Sequence, residues 1–259
     1  MHKGEGGTSM KVEFLDTTDH MEYGHEGWLE PNTTHVHEGD PVEIYFKWGH
    51  NMQAHGLARK EGLSAHVLLP DGQKQQLEIQ DYKPSSYLMQ FTPKEIGLYH
   101  FICHNKGYYV IDKEGKHLRG TLKDYPDSPK ATSFTQFSHL TMLVGHDLSK
   151  EQLSTSPRLP LAIVPEEWKK WKTGEDINFT LYLNKDVLPE NDIDLACAED
   201  EESSVEQMKM KTDGKGKLNI NVEKIGQYLL IARHHSNEGE TGVYYDTQFT
   251  YTYYYSIKK

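Results

Sequence analysis

Apolar residues in this chain recur with a period of two, in short runs bounded by Gly, Pro and Asp, and almost nowhere with the spacing of an amphipathic helix. Pro41-Val42-Glu43-Ile44-Tyr45-Phe46-Lys47-Trp48 follows the turn residues Glu38-Gly39-Asp40 and reads as a strand. Ala65-His66-Val67-Leu68-Leu69 runs into Pro70-Asp71-Gly72, where Pro presets φ and Gly tolerates the left-handed region. Residues 87–91 and 98–104 are two further strands, and only residues 151–153 and 166–171 carry short helical turns. The pattern predicts an all-β protein.

The same grammar returns in the second half. Thr173-Gly174-Glu175-Asp176 precedes an alternating run over 177–183, and Thr212-Asp213-Gly214 precedes another over 217–222. Ile225-Gly226-Gln227-Tyr228 then matches Ile96-Gly97-Leu98-Tyr99: a tight turn at Gly, then a strand whose Tyr packs at a sandwich corner. The chain therefore reads as two tandem immunoglobulin-like or transthyretin-like β-sandwich domains, over residues 22–145 and 157–259. Residues 146–156 read as the linker, and residues 1–21 as a flexible leader or residues added to the natural chain.

Charge and motif content exclude several function classes. Lys and Arg number 28 against 39 Asp and Glu, a net charge of -11, the wrong sign for displacing counterions from nucleic acid. No apolar run approaches the ~20 residues that span a bilayer, and the first ten residues lack the apolar stretch of a secretory signal. Cys103 and Cys197 form no C-x-x-C pair, and their spacing does not indicate whether they are bonded. Sequence signatures of serine hydrolases, zinc proteases, phosphate-binding loops and dinucleotide-binding folds are missing. The expectation is a protein without a catalytic step.

Histidine is where chemistry concentrates. Thirteen of the 15 His lie at or before position 146. Neutral imidazole is a ligand for nickel, cobalt, copper and zinc, so several rings converging from one sandwich would hold such an ion. His50 and His55 follow a strand in Trp48-Gly49-His50-Asn51-Met52-Gln53-Ala54-His55, where the Gly lets the backbone turn and present a ring. His100 and His104 share one face of a strand but stand ~13 Å apart at ~3.3 Å per residue, too far to bind one ion together. His104, nearer the strand end, is the better candidate of the two. Cys103 points away from it, and no Met follows in the expected loop, which argues against a copper electron-transfer site. His35 and His37 also share a face but read as solvent-exposed and incidental, and at most one of His234 and His235 can face a given site. His2 and His20 sit in the leader.

Gly24-His25-Glu26-Gly27-Trp28-Leu29-Glu30-Pro31, followed by Glu38-Gly39-Asp40-Pro41-Val42 and Trp48-Gly49-His50, resembles a bacterial and archaeal family associated with nickel and cobalt uptake, the NikM- or NikK-like exported accessory proteins. Leu161-Ala162-Ile163-Val164-Pro165, Thr212-Asp213-Gly214-Lys215-Gly216 and Gly226-Gln227-Tyr228 are similar to that family's second domain. The resemblance implies an extracytoplasmic, periplasmic or cell-surface protein that binds a divalent transition metal, nickel or cobalt before zinc or copper. It also implies membrane metal-transporter components as partners. His25 corresponds to the family's N-terminal His and His50 to its G-H histidine. In this chain 24 residues precede His25, and Asn51-Met52-Gln53-Ala54-His55 replaces the family's G-H-P-F continuation. The expected metal ligands are His25, His50, His55 and His104. Two rival readings stand beside this one. An adhesion or carbohydrate-binding module would use the 16 Tyr, although Tyr251, Tyr253, Tyr254 and Tyr255 also suit ordinary sheet packing. A metal-dependent enzyme would need an open coordination position beside a carboxylate.

Overall fold

The alternating runs form strands throughout the computed structural model, which describes residues 25–257 apart from 84, 147 and 201–202. The leader therefore lies outside the described residues, and with it His2 and His20. A five-stranded sheet contains β1 (Glu26–Pro31), β2 (Val42–His50), β3 (Gln53–Gly56), β6 (Gln80–Lys83) and β7 (Ser86–Phe91). A nine-stranded sheet contains β4 (Leu63–Leu68), β5 (Lys74–Leu77), β8 (Gly97–Ile111), β9 (His117–Arg119), β10 (Lys130–Val144), β14 (Asp192–Ala198), β15 (Glu206–Lys211), β17 (Gly226–Ser236) and β18 (Asp246–Ile257). A four-stranded sheet contains β11 (Leu161–Pro165), β12 (Asp176–Leu183), β13 (Asp186–Val187) and β16 (Lys217–Asn221). The protein is all-β and built of sandwiched sheets, as the period-two pattern requires.

The nine-stranded sheet is the middle layer. Its strands come from both halves of the chain and meet where β10 runs parallel to β18, with Thr132 opposite Asp246 and Leu140 opposite Tyr254. Alternate side chains on each strand enter different cores. From β8, Tyr99, Phe101 and Cys103 pack with Leu29, Phe46 and Trp48 of the five-stranded sheet. Leu98 and Ile102 of the same strand pack with Leu161, Ile163 and Phe179 of the four-stranded sheet. Strands buried on both faces lose the apolar-polar alternation of a half-exposed strand. The run from Tyr251 to Tyr255 is buried throughout: Tyr254 faces the first core, Tyr251, Tyr253 and Tyr255 the second. Residues 166–171, expected to form a helical turn, contain none; Trp168 and Trp171 instead cap the second core, while Glu151–Leu153 forms a 3-10 turn.

The repeated I-G-x-Y element takes the same form twice. Gly97 (φ 147°) and Gly226 (φ 152°) open β8 and β17 in backbone conformations that favour glycine. Two residues on, the Tyr99 hydroxyl donates to the Glu95 carbonyl at 2.8 Å, and the Tyr228 hydroxyl donates to the Lys224 carbonyl at 2.7 Å. Each bond closes the corner that feeds its strand into the middle sheet. Both thiols are free: Cys103 is buried in the first core, and Cys197 lies against the second.

On the second-core face, His100 and His139 belong to one hydrogen-bond chain. His100 Nε2 is 2.8 Å from the Thr155 carbonyl, His100 Nδ1 is 3.0 Å from His139 Nε2, and His139 Nδ1 is 2.6 Å from the Tyr251 hydroxyl. The Thr155 carbonyl can only accept, so His100 donates through Nε2. A neutral His100 then accepts at Nδ1 from His139 Nε2–H, and the Tyr251 hydroxyl donates to His139 Nδ1 at 2.6 Å in preference to the Ile163 carbonyl, which lies farther away at 3.2 Å. Every ring nitrogen is satisfied with no charge buried. Burial pulls His100 down to about 4 and His139 well below the usual imidazole range.

Two outcomes follow. Tyr99→Phe and Tyr228→Phe each lower stability by about 0.5–1.5 kcal/mol, read as a urea midpoint, because each removes one hydrogen bond while keeping the ring. The unfolded chain also binds protons at His100 and His139 that the folded chain refuses. The stability they contribute is complete above pH ~6.5 and is lost as pH falls toward about 4. The urea midpoint therefore drops by an amount equivalent to a few kcal/mol across that window, since each tenfold difference in proton affinity is worth ~1.4 kcal/mol. His100→Gln flattens the profile.

Candidate metal centre

β1 and β2 pair antiparallel with Glu26 opposite Gly49, which sets His25, one residue ahead of β1, beside His50 at the end of β2. The chain then turns back through Asn51 (φ 48°) and Met52 (φ 66°) into β3, with His50 opposite Gln53. Two consecutive left-handed residues make the tight hairpin whose twist matches its strands. Between β2 and β3 the register shifts: Gly49 opposes Ala54 and Trp48 opposes Gly56, leaving His55 as the extra residue of a bulge. Bulges redirect side chains, and this one brings His55 to the other two rings. Gly49 is required here because a Cβ at that position would stand 1.9 Å from the Gln53 carbonyl oxygen.

The three rings form a cluster in which one nitrogen from each lies within 4.8 Å of the others. Ring centroids are 3.9 Å apart for His25 and His50, 5.5 Å for His50 and His55, and 5.9 Å for His25 and His55. His25 is buried, His50 half-buried and His55 exposed, so the group opens to solvent on one side. Three imidazole nitrogens this close can hold one borderline divalent cation and leave further positions for water or another ligand.

The middle sheet fixes the buried end of this cluster. Gln136 of β10 donates from Nε2 to the His25 carbonyl (2.7 Å) and accepts from the Gly27 amide at Oε1 (3.1 Å). Thr252 of β18 donates to the Gly27 carbonyl at 2.6 Å. A Cβ at Gly27 would stand 2.4 Å from the Phe46 ring and 3.0 Å from the Ser138 hydroxyl of β10, so only glycine fits between the two sheets here. Glu26, buried beside His25, accepts a hydrogen bond from the Asn51 amide in the hairpin turn and one from Arg233 Nη2 at 2.7 Å. Arg233 also reaches Asp194 at 2.7 Å. Burial raises the Glu26 carboxyl to about 7, with Arg233 pulling in the opposite direction. The sequence carries no signal for this role of Glu26, because Arg233 and Glu26 are 207 residues apart.

His104 does not join the group. Cys103 points into the first core, so its neighbour His104 projects from the opposite face of the middle sheet. Its ring stacks on Phe137 at 4.5 Å between centroids, and its Nε2 lies 2.6 Å from the Thr135 hydroxyl. Burial draws its pKa down to about 4. The ring acts as part of the packing, with the middle sheet between it and the cluster. The exposed His35 and His37, by contrast, are not scattered: with His146 they form a second group of three.

Sandwiched sheets and two groups of three histidines together mark the class: an all-β protein with clustered imidazoles. The chain belongs to a family described as a domain of unknown function (DUF4198), whose sequence model matches residues 23–236. No curated protein matches this sequence. Among solved structures it is similar to a DUF4785 family protein from Legionella pneumophila, at 11% identity and a TM-score of 0.29, covering 79% of this chain and 51% of that one. It is also similar to Salmonella alpha-2-macroglobulin, at 12% identity and a TM-score of 0.30, covering 89% of this chain and 15% of that one. The Yersinia pseudotuberculosis adhesin InvE matches at 13% identity and a TM-score of 0.25, covering 87% of this chain and 58% of that one. The chain thus spans about half or less of the first two. Among the described residues no helix is long and apolar enough to cross a membrane.

Gly49→Ala places a methyl group against the Gln53 carbonyl and forces the hairpin to shift. We expect a loss of ~1–3 kcal/mol by urea denaturation, the usual range for overpacking a tight site.

Proposed function

We propose that this protein is a non-catalytic binding protein for a divalent transition metal, nickel or cobalt, that supports uptake of the ion by a membrane transporter from an extracytoplasmic location. The observation that carries the reading is the convergence of His25, His50 and His55 within 4.8 Å. Nitrogen ligands without a thiolate favour borderline ions over soft ones, and zinc and copper compete for the same donor set. The gradation from buried His25 to exposed His55 suits a carrier. The backbone that carries the inner ring is held by Gln136 on the His25 carbonyl and by Glu26 on the Asn51 amide, while the outer ring can be replaced by a ligand from a receiving protein. The resemblance to NikM- and NikK-like proteins supports nickel or cobalt and the transporter partner. The net charge of -11 favours approach of cations at long range.

The test is metal titration by calorimetry on untagged, chelator-stripped protein, with Ni, Co, Zn and Cu in turn. Wild type takes up one tight equivalent of Ni or Co at the cluster. His50→Ala and His55→Ala each remove that equivalent or weaken it by at least ~10-fold, since losing one of three ligands costs more than losing an outer-shell partner. Affinity declines as pH falls below the ordinary imidazole value of ~6.5, because only neutral imidazole binds the ion. Binding unchanged in both variants would overturn the assignment.

A further inference from the structure

The loop between β1 and β2 and the end of β10 build a second group of histidines, at the far end of the β1–β2 pair from the first cluster. Val36 is buried and forms a parallel bridge with Val144, and the Gly145 amide donates to the Val36 carbonyl at 3.0 Å. With Val36 pointing inward, its neighbours His35 and His37 both point out. Gly145 (φ 86°) turns the chain just past the bridge and delivers His146 to the same place. One nitrogen from each of the three rings lies within 4.8 Å of the others, and ring centroids are 4.7 Å, 5.2 Å and 5.3 Å apart.

Two details go beyond proximity. His37 Nε2 and His146 Nε2 are 3.2 Å apart. Two nitrogens held at ~2.0–2.1 Å by one tetrahedral ion sit roughly 3.3 Å from each other, so these two rings already have the spacing of a shared cation. Asp40 supplies the outer partner: its Oδ2 accepts from the His37 amide at 2.8 Å and lies 3.4 Å from His37 Nδ1. The carboxylate thus faces the Nδ1 side of the ring at ion-pair distance, the side on which outer partners orient metal-ligating histidines. The His35 backbone is held as well, since its amide donates to the Thr33 hydroxyl at 3.2 Å. Lys170, contributed by the second half of the chain, acts on His35 with a positive charge, so nitrogen donation rather than net charge must hold the ion.

We propose that His35, His37 and His146 form a second, solvent-open binding site for a divalent transition-metal ion, with Asp40 positioning His37. The three protein ligands leave at least one coordination position to water or to a donor from another molecule. The six residues of β1 separate this site from the first cluster by ~20 Å at ~3.4 Å per residue, so the two fill independently.

Zn²⁺ and Ni²⁺ titrations of the full, untagged chain, read by competition with a chromogenic chelator, test this. Two equivalents are expected in wild type. His37→Ala and His146→Ala each abolish one and leave the other at wild-type affinity, whereas His50→Ala removes the other alone. Asp40→Asn weakens the second equivalent ~10-fold or more while retaining its stoichiometry. Both alanine positions are exposed, and an unchanged urea midpoint verifies that the fold is retained. A single equivalent in wild type, or a second one that survives both His37→Ala and His146→Ala, overturns the proposal. Loss of the second equivalent alone, with the first unaffected by His50→Ala, would support this site and refute the first.

Discussion

The parallel pairing of β10 with β18 is the constraint on which the rest of the molecule depends. It joins strands from the two halves of the chain into one nine-stranded sheet, and that sheet then needs an apolar partner on each face. The five-stranded and four-stranded sheets supply them. Each central strand therefore carries large side chains in both directions: Leu140 and Met142 toward one core, Phe137 toward the other. Within this layer His100 and His139 are admitted with hydrogen-bond partners, whereas the buried Thr132 and Tyr255 hydroxyls have none among the described residues. The chain Thr155–His100–His139–Tyr251 satisfies its ring nitrogens one by one, which keeps two imidazoles neutral where a charged one would be costly.

The same sheet determines where the histidine cluster can be. β1 is the edge strand of its own sheet, yet Gln136 and Thr252 tie its backbone to β10 and β18. Glu26 carries the constraint onward to the Asn51 amide and so into the turn that separates His50 from His55. A short surface hairpin is thereby supported from beneath by a rigid layer. That is what a site of few ligands needs, since imidazoles pre-positioned by packing lose less entropy on closing around an ion.

Histidines in this protein divide by environment rather than by neighbours in sequence. His100 and His139 are buried and His104 half-buried on the middle layer, all three hydrogen-bonded and held neutral by desolvation. His25, His50 and His55 gather at one end of the β1–β2 pair, while His35, His37 and His146 gather at the other. The two groups share one device: a backbone bridge or bulge that lets side chains from separate segments meet at a strand end. The two proposed ion sites differ in burial, one anchored by the core and the other open to solvent.

Much of the fold is legible in the sequence. Period-two alternation identifies the class, and the two I-G-x-Y elements mark the corners that Tyr99 and Tyr228 close, because a glycine requirement and an i to i−4 hydrogen bond are local events. Gly49-His50 likewise marks a turn that presents a ring, while His25 is indicated only by the resemblance to NikM- and NikK-like proteins. Tertiary structure alone decides the rest. The β10–β18 pairing joins segments more than a hundred residues apart, and no local pattern encodes which strands will neighbour each other. A doubly buried strand such as β10 hides its own signal by losing alternation. His104 reads as a ligand from the sequence and is not one of the cluster, because a strand's period reveals which residues share a face but not what lies opposite that face. His35 and His37 read as incidental because their third ring, His146, arrives through a single bridge between Val36 and Val144. Composition and periodicity set the class of fold; long-range pairing set which histidines meet.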